Sequence, residues 1–368
     1  CIIYGYFALM LLGRRYKYDA KPIIKLNPVQ EEVKKEIEGR IKKSRYRMEK
    51  VPCAVCGEEE FEKLSEKDMF GLPVSVVICR KCGLIQTNPR LTQDSYKEFY
   101  EKEHTRLVFG EKKPTKEIFL DEYFHGQKIY KYIKRYLPKN LRGFVVLEVG
   151  CGAGGILAYF KDLGAEMLGC DLDPECVELG RSIYGLNIFR GTLSDLKIKK
   201  KPNLIIMSHI LEHLLFPSKE LSLIRDLLEP KGFLYIEVPG VRNMTFIHND
   251  MNFLRFLQIA HTYHFSLTTL NNLLGRSGFE LIEGDEKIRS LFRLSKNKQF
   301  KIVNDYQRQI TYLKRIEFLR RVFPLTPFKI RYAIETLFEK IFKILKVYNL
   351  MRFFYRKLIE RYLPKKYD

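Results

Sequence analysis

The chain has 368 residues, of which 46% are hydrophobic and 13% aromatic, and its formal net charge is +21. This composition excludes a wholly disordered protein, and the length leaves room for two or three domains. Two C-x-x-C pairs account for four of the eight cysteines. The other four show no disulfide framework spacing, which predicts a reducing compartment and a cytoplasmic location.

The positive charge is concentrated in the two flanks of the chain. Residues 1–52 hold 13 basic and 6 acidic side chains, residues 53–288 hold 31 and 32, and residues 289–368 hold 21 and 6. Because the middle is close to neutral, the flanks are predicted to dock on something anionic. An anionic membrane surface is one candidate partner, and nucleic acid is a second, less favoured one.

The amino-terminal segment, residues 1–50, begins with an apolar run over residues 1–13. A helix needs about 20 residues to cross a bilayer, so this run is predicted to be too short to span one. It also lacks the charged head and the small-residue cleavage site of a signal peptide. Residues 30–50 are highly charged and are predicted to form a solvated helix.

Two cysteine pairs mark the next predicted domain, residues 51–110. Cys53 and Cys56 form one C-x-x-C pair, Cys79 and Cys82 form the other, and 22 residues separate the pairs. Four thiolates at this spacing predict a tetrahedral, structural Zn²⁺ site, and the glycine directly after each pair can supply the tight turn. A redox motif or a chance spacing is the less favoured alternative.

After a helical linker predicted over residues 111–140, an apolar run meets a glycine-rich turn. Residues 145–149 are predicted to form a buried strand, because β-branched residues predominate without polar alternation. The turn, at which a ligand can approach the backbone closely, contains Gly150, Gly152, Gly154 and Gly155. A helix is predicted over residues 156–163. Asp171 ends the next strand, where a carboxylate can accept hydrogen bonds from both ribose hydroxyls.

A dinucleotide site is an alternative, since the same glycines fit the G-x-G-x-x-G fingerprint. However, Glu148 precedes the first glycine by two residues, and its negative charge disfavours a pyrophosphate beside this turn. The pattern E-x-G-x-G-x-G, with NLIIMSHILEH at residues 203–213 and GFLYIEVPG at residues 232–240, resembles class I S-adenosylmethionine-dependent methyltransferases over about residues 141–285. The resemblance implies an α/β fold with a Rossmann-like seven-stranded core over residues 141–290, and S-adenosylmethionine as the cofactor.

The cysteine-rich domain also resembles a known module, the zinc-ribbon head of bacterial and archaeal methyltransferases tied to sugar and surface-polysaccharide biosynthesis. Family resemblance implies a cofactor site made of nine residues, which are Glu148, Gly150, Cys151, Gly152, Gly154, Asp171, Leu172, Asp195 and Ser208. Leu172 would lie against the adenine. Asp195 is a substitute candidate for the adenine contact, because Thr192 stands where the family usually has an aspartate.

The pattern H-x-x-E-H is formed by His209, Glu212 and His213, and it is also the inverted zinc-peptidase motif. The peptidase motif needs a long helix, whereas here His209 follows a predicted buried strand and Pro217 interrupts soon afterwards. A similar sequence pattern is common at the carboxyl end of the fourth strand in the methyltransferases that this chain resembles. The sequence therefore disfavours a peptidase.

Methyl transfer to a hydroxyl or a carbon acid requires a base, and three histidines are candidates. Related sugar C-methyltransferases carry a Glu-His pair after the fifth strand; His261 matches the histidine, and Ala260 replaces the glutamate. His264 and His209 are the other two catalytic candidates. Alternatively, residues HTYHFS only cap a helix begun by Ser266, and their histidines bond to the backbone.

These patterns favour an S-adenosylmethionine-dependent methyltransferase. The resemblance to enzymes of surface-polysaccharide biosynthesis implies that it acts on a sugar nucleotide, a glycan or a lipid-linked saccharide. An RNA methyltransferase is one alternative, and a non-catalytic, zinc-organised scaffold with a relic nucleotide-binding fold is another. The basic helical extension, residues 291–368, shows an amphipathic pattern over residues 328–362. Such a helix can lie on the inner face of a membrane, giving a peripheral location, or can pack on its own enzyme domain.

Overall fold

The computed structural model describes residues 12–108, 110, 116–244, 249–297 and 299–323. Most of the amino-terminal apolar run and the amphipathic helix predicted for residues 328–362 lie outside these ranges. Among the described helices, none combines the length and the apolar character that crossing a bilayer requires.

Nine α-helices and thirteen strands make up the described part of the chain. The helices are α1 Pro28–Lys42, α2 Gln93–Phe99, α3 Thr105–Val108, α4 Lys116–Ile133, α5 Gly155–Asp162, α6 Pro174–Tyr184, α7 Pro217–Leu227, α8 Leu267–Arg276 and α9 Tyr306–Val322. The strands are β1 Met48–Glu49, β2 Phe61–Ser65, β3 Val76–Cys79, β4 Ile85–Thr87, β5 Arg90–Leu91, β6 Val145–Val149, β7 Glu166–Asp171, β8 Ile188–Arg190, β9 Leu204–Ser208, β10 Phe233–Glu237, β11 Tyr263–His264, β12 Phe279–Gly284 and β13 Arg289–Leu294.

The central sheet has seven strands, as predicted, in the order β12-β13-β10-β9-β6-β7-β8. Strands β6 to β10 run parallel to one another, and β13 pairs antiparallel with both β10 and β12. The chain moves outward from β6 in one direction to β7 and β8, and then crosses back to β9. This reversal opens a crevice at the carboxyl ends of β6 and β9, which is where ligands bind in open α/β sheets.

Local sequence explains the elements around this crevice. All five residues of β6 are buried, as its β-branched residues without polar alternation predicted, and the buried set includes Glu148. Helix α6 begins where the Asp173 carboxylate accepts hydrogen bonds from the amides of Glu175 and Cys176, at 2.8 and 3.2 Å. It ends at Gly185, whose φ of 57° favours glycine. From the sequence alone, Asp173 with Pro174 predicts the start of a helix and Gly185 predicts its end, and the structure confirms both.

The prediction of a wholly solvated helix near residues 30–50 is wrong. Helix α1 is charged on its outer face, but Val33 and Ile37 are fully buried. These two residues are four positions apart and share one face of the helix, so a short apolar stripe is enough to dock it. The stripe joins a core made with the segment after β10 and with helix α9.

A second sheet contains the cysteine-rich segment and has the strand order β11-β4-β3-β2. Its edge strand β11 comes from residues 241–266, the cap segment, which follows β10. Tyr263 pairs with Gln86 and His264 pairs with Ile85, both antiparallel. The cap segment is therefore attached by its backbone to the cysteine-rich sheet.

Two further cores lie on the two faces of the central sheet. One fills the space beneath α4, α5 and α6 and includes Val146 and Phe160. The other joins the opposite face to the cysteine-rich segment and includes Val149, Cys79 and Phe265. Strand β13 runs across residue 290, where the sequence alone placed a domain boundary.

Candidate active site

The four cysteines of the two C-x-x-C pairs come together at the tips of two similar turns. Sγ of Cys53 lies 3.4 Å from Sγ of Cys82, and Sγ of Cys56 lies 3.4 Å from Sγ of Cys79. All four sulfur atoms lie within 4.8 Å of one another. They are close enough to hold one metal ion between them.

Matching backbone geometry supports each pair. The amide of Gly57 donates to the carbonyl of Cys53 at 2.8 Å, and the amide of Gly83 donates to that of Cys79 at 2.9 Å. Both glycines are left-handed, with φ of 79° and 80°. A side chain at position 83 would also lie 2.5 Å from the amide nitrogen of Tyr306. The glycines after the pairs thus have the role that the sequence predicted.

The glycine-rich turn after β6 lies at the crevice. Gly150, Gly152 and Gly154 have φ of 67°, 53° and 78°, a region that other residues rarely adopt. A Cβ on Gly150 would lie 2.1 Å from the side chain of Ile210, which begins the turn after β9. The amides of Gly150 and Cys151 both donate to the carbonyl of Cys170, at 2.8 and 3.1 Å. The turn is thereby fixed against the end of β7.

Asp171 is held at the end of β7 by the same turn. Its Oδ2 accepts a hydrogen bond from the amide of Gly152, and its Oδ1 accepts one from the amide of Asp173, both at 2.8 Å. Burial raises the pKa of the Asp171 carboxyl, although these amide bonds oppose the shift. Leu172, the next residue, is 65% exposed beside the turn. The structure therefore brings the predicted ribose and adenine residues together at one edge.

Two more carboxyls face this edge, and the sequence identified only one of them. Glu148 is 2% exposed, and its Oε2 has no hydrogen-bond partner within the described ranges. Glu122, on helix α4, accepts a hydrogen bond from the amide of Gly155 at 3.0 Å. Burial raises the pKa of Glu122 to about 7 and that of Glu148 well above its usual range. No local motif marks Glu122, because it lies before the segment that carries the glycines.

The remaining predicted cofactor residues lie at the ends of other elements. Asp195 is exposed and accepts hydrogen bonds from the amide and the hydroxyl of Thr192, at 3.1 and 2.6 Å. Ser208 ends β9, and its Oγ lies 3.4 Å from Nε2 of His125. The residue that stands in place of the usual aspartate, Thr192, thus forms a small capping turn with Asp195.

Six of the seven histidines lie near one another beside the crevice, as one pair and one group of four. The closest ring pairs are His213 with His261, at 4.7 Å between centroids, and His104 with His213, His261 with His264 and His125 with His209, at 5.9, 5.9 and 6.3 Å. The six histidines are His104, His125, His209, His213, His261 and His264. These residues come from helix α4, the turn after β9, the cap segment and the turn between α2 and α3, so only the fold assembles them.

His209 is the exposed member of these six. It follows β9 directly and adopts a φ of 56°, which is uncommon for a residue with a side chain. Its Nδ1 lies 3.5 Å from Oε1 of Glu212, and its side chain is 52% exposed. Burial by the surrounding residues lowers the pKa of His209, but the carboxylates of Glu212 and Glu237 outweigh it and hold this pKa above its usual value. His209 can therefore accept a proton.

The other two predicted catalytic histidines are buried. His261 is 6% exposed and His264 is 1% exposed. Burial lowers the pKa of His264 to about 3 and that of His261 well below its usual value. Ser266 does begin helix α8, where its side chain accepts a hydrogen bond from the amide of Thr269. The capping part of that alternative is confirmed, but its second part is wrong for His264, because neither ring nitrogen has a hydrogen-bond partner among the described residues.

The inverted zinc-peptidase interpretation fails on local structure. His209 lies outside any helix, and Leu211–His213 is a single 3-10 turn. The peptidase motif places both of its histidines on one helix face. A second residue that the sequence did not identify, His125, lies nearby and forms an ion pair with Glu237 at 2.9 Å.

Comparison with known proteins agrees with this architecture. Residues 121–283 match a family model described as a methyltransferase domain. A ubiquinone biosynthesis O-methyltransferase of Cereibacter sphaeroides is 27% identical over 103 residues. That match covers 26% of this chain, and the chain spans 42% of the length of this curated relative.

Two solved structures are similar to part of the chain. An S-adenosylmethionine-dependent methyltransferase from Clostridium acetobutylicum is 10% identical, with a TM-score of 0.38, covering 54% of this chain and 99% of that one. One from Mesorhizobium loti is 17% identical, with a TM-score of 0.36, covering 44% of this chain and 94% of that one. The family match covers the glycine turn, Asp171 and strands β6 to β10 of the central sheet, so residues 121–283 are a methyltransferase domain.

Proposed function

We propose that this protein is an S-adenosylmethionine-dependent methyltransferase that methylates a hydroxyl of a sugar nucleotide, a glycan or a lipid-linked saccharide. The observation that carries the proposal is the position of Asp171. Its carboxylate is bonded to the amide of Gly152 at 2.8 Å and lies at the end of β7, beside the crevice of a matched methyltransferase domain. This is where a carboxylate can accept the hydroxyls of a ribose.

The acidic surroundings of the glycine turn suit a cationic cofactor. S-Adenosylmethionine supplies a methyl group already activated by its sulfonium. Glu148 and Glu122 place carboxyl groups next to Asp171, so the crevice attracts positive charge when they are ionised. Leu172 offers an exposed apolar surface for the adenine ring. We assign the crevice beside the glycine turn, with Asp171 at its edge, to the cofactor.

His209 is the base that the geometry favours. A hydroxyl acceptor must lose its proton as the methyl group arrives, and a base with a pKa near neutrality serves best. Nδ1 of His209 faces Glu212 at 3.5 Å, which leaves Nε2 to accept the proton. Glu237, whose carboxylate also raises the pKa of His209, then stabilises the imidazolium that results. His261 and His264 are too deeply buried to reach a substrate as directly, and we assign them to the walls of the pocket.

The cysteine cluster suits Zn²⁺, and we assign it a structural role. Four cysteine thiolates complete a tetrahedral shell and leave no position for a substrate. The cysteine cluster belongs to the same sheet as β11, which is the strand that the cap segment contributes. The resemblance to zinc-ribbon heads of polysaccharide-linked methyltransferases supports the saccharide class of acceptor.

Calorimetric titration with S-adenosylhomocysteine tests the cofactor assignment, and a methyl-label transfer screen over sugar nucleotides, membrane extract and RNA tests the acceptor. We expect transfer to a saccharide. Asparagine tolerates a left-handed backbone better than most residues, so it is the substitution chosen for His209. The His209→Asn variant should lose methyl transfer and keep its affinity for the cofactor. Label transferred to RNA, with a steep salt dependence of RNA binding, would overturn the acceptor class. Failure to bind any adenosyl compound would favour a non-catalytic scaffold.

A further inference from the structure

Glu212 is a buried carboxylate without a hydrogen-bond partner. It is 1% exposed, and neither of its side-chain oxygens makes a hydrogen bond to any part of the chain that the structure describes. Burying a carboxylate in this way is costly unless a cation or several donors compensate for the lost water. The groups that surround Glu212 are imidazoles.

The distances around Glu212 match those of ligands that share one ion. Its Oε1 lies 3.5 Å from Nδ1 of His209 and 3.8 Å from Nε2 of His213, and both distances are longer than those of protein hydrogen bonds. One ligand atom each from Glu212, His213 and His261 lie within 4.8 Å of one another. In a tetrahedral site with bonds of about 2.1 Å, neighbouring nitrogen and oxygen ligands are about 3.4 Å apart. Only a small inward shift would bring these atoms onto a common ion.

The hydrogen bonds of His213 orient it as a ligand. Its Nδ1 lies 3.0 Å from the carbonyl oxygen of Ala260 and 2.5 Å from the hydroxyl of Tyr100. Because a carbonyl oxygen can only accept, Nδ1 carries a hydrogen atom. In the neutral ring the lone pair then lies on Nε2, which faces Glu212. A backbone carbonyl that holds the distal nitrogen is the usual support of a metal-binding histidine.

We infer that Glu212, His213 and His261 bind a divalent transition-metal ion, in addition to the ion of the cysteine cluster. Two imidazoles and one carboxylate suit Zn²⁺, Fe²⁺ or Co²⁺. The ion ties the cap segment to the turn after β9, where the amide of Thr262 already donates to the carbonyl of Glu212 at 2.8 Å. In the inverted peptidase motif both histidines bind the metal and the glutamate is the base, whereas this ligand set uses the glutamate and leaves out His209. The inference goes beyond the proposed function and does not depend on the methyl acceptor.

The decisive experiment uses the full-length protein, depleted of metal and titrated with Co²⁺. A thiolate site shows sulfur-to-cobalt charge-transfer absorption, whereas a site of imidazole and carboxylate shows ligand-field bands without it. We expect two equivalents of Co²⁺, of which only one carries the charge-transfer band. Elemental analysis of the protein loaded with Zn²⁺ should likewise give two ions per chain. A single equivalent with the thiolate spectrum alone would overturn the inference.

Variants locate the second ion. Glu212→Gln and His261→Gln should each lower the metal content from two ions to one and keep the thiolate band. His264→Gln is the matched control, because His264 is equally buried and 5.9 Å from His261 but belongs to neither ligand set. Two ions retained in both ligand variants would refute the assignment. Circular dichroism verifies folding, and the spectrum of the wild type decides the question even if a variant is unfolded.

Discussion

The backbone of His264 pairs with Ile85, so the cysteine-rich sheet holds the cap segment in place. Two further bonds extend this attachment. The hydroxyl of Thr87 donates to the carbonyl of His261 at 3.0 Å, and its amide donates to the carbonyl of Thr262 at 2.9 Å. The position of the histidine group therefore depends on a sheet whose turns are closed by the four cysteines.

Disrupting the cysteine cluster should impair catalysis more than cofactor binding. We expect Cys79→Ser to lower methyl transfer by about tenfold or more, in the range seen when support around a site is lost. The hydrogen bonds of Asp171 come from residues near the glycine turn, so affinity for S-adenosylhomocysteine should change little. Calorimetry and label transfer measure the two effects. Parallel loss of both would mean that the cluster supports the whole core.

Replacing Asp171 should abolish tight cofactor binding. A charged hydrogen bond contributes about 1.5–3 kcal/mol, and two ribose hydroxyls are at stake, so Asp171→Ala should weaken affinity by at least about 100-fold. The metal content of the cysteine cluster should not change. Asp226→Ala is the control, since Asp226 lies on helix α7 with a side chain that is 68% exposed and paired with Arg225. Wild-type affinity in Asp171→Ala would refute the ribose assignment.

Cofactor affinity should depend on pH through Glu122. Its carboxyl accepts from the Gly155 amide and faces Glu148, Asp171 and Asp121, and burial raises its pKa to about 7. Below that pH the group is neutral, and above it the group is an anion. S-Adenosylmethionine carries two cationic groups and one carboxylate, so it gains attraction as Glu122 ionises.

We therefore expect affinity for S-adenosylmethionine to increase as the pH rises through about 7. The increase should be roughly fivefold, the effect of about 1 kcal/mol of charge interaction. Glu122→Gln keeps the shape of the side chain and should flatten the dependence. Calorimetric titrations of both proteins at several pH values make the comparison. An equally steep dependence in Glu122→Gln would assign it to another group.

Two glycine substitutions should change stability in opposite directions. A Cβ on Gly155 would lie 2.2 Å from the backbone oxygen of Phe119, where α4 and α5 meet. Gly155→Ala should therefore lower the free energy of unfolding by about 1–3 kcal/mol. Gly39, within helix α1, has no neighbour within 4 Å of such a Cβ. Gly39→Ala should raise this free energy by about 0.5–1 kcal/mol, and urea denaturation measures both.

Local sequence determined the parts of this protein whose chemistry is local. The strand at residues 145–149, the cap and end of α6, and the turn glycines beside the cysteines all follow from burial patterns and φ preferences of neighbouring residues. Asp171 was found in the same way, because a fixed spacing connects it to the glycine turn.

Only the tertiary structure placed Glu122 against Gly155 and gathered six histidines from four separate segments. It also separated the exposed His209 from the buried His261 and His264, which the sequence treated alike. The physical reason is that exposure and pKa depend on what packs around a side chain. Those neighbours lie far apart along the chain, so no spacing within the sequence encodes them.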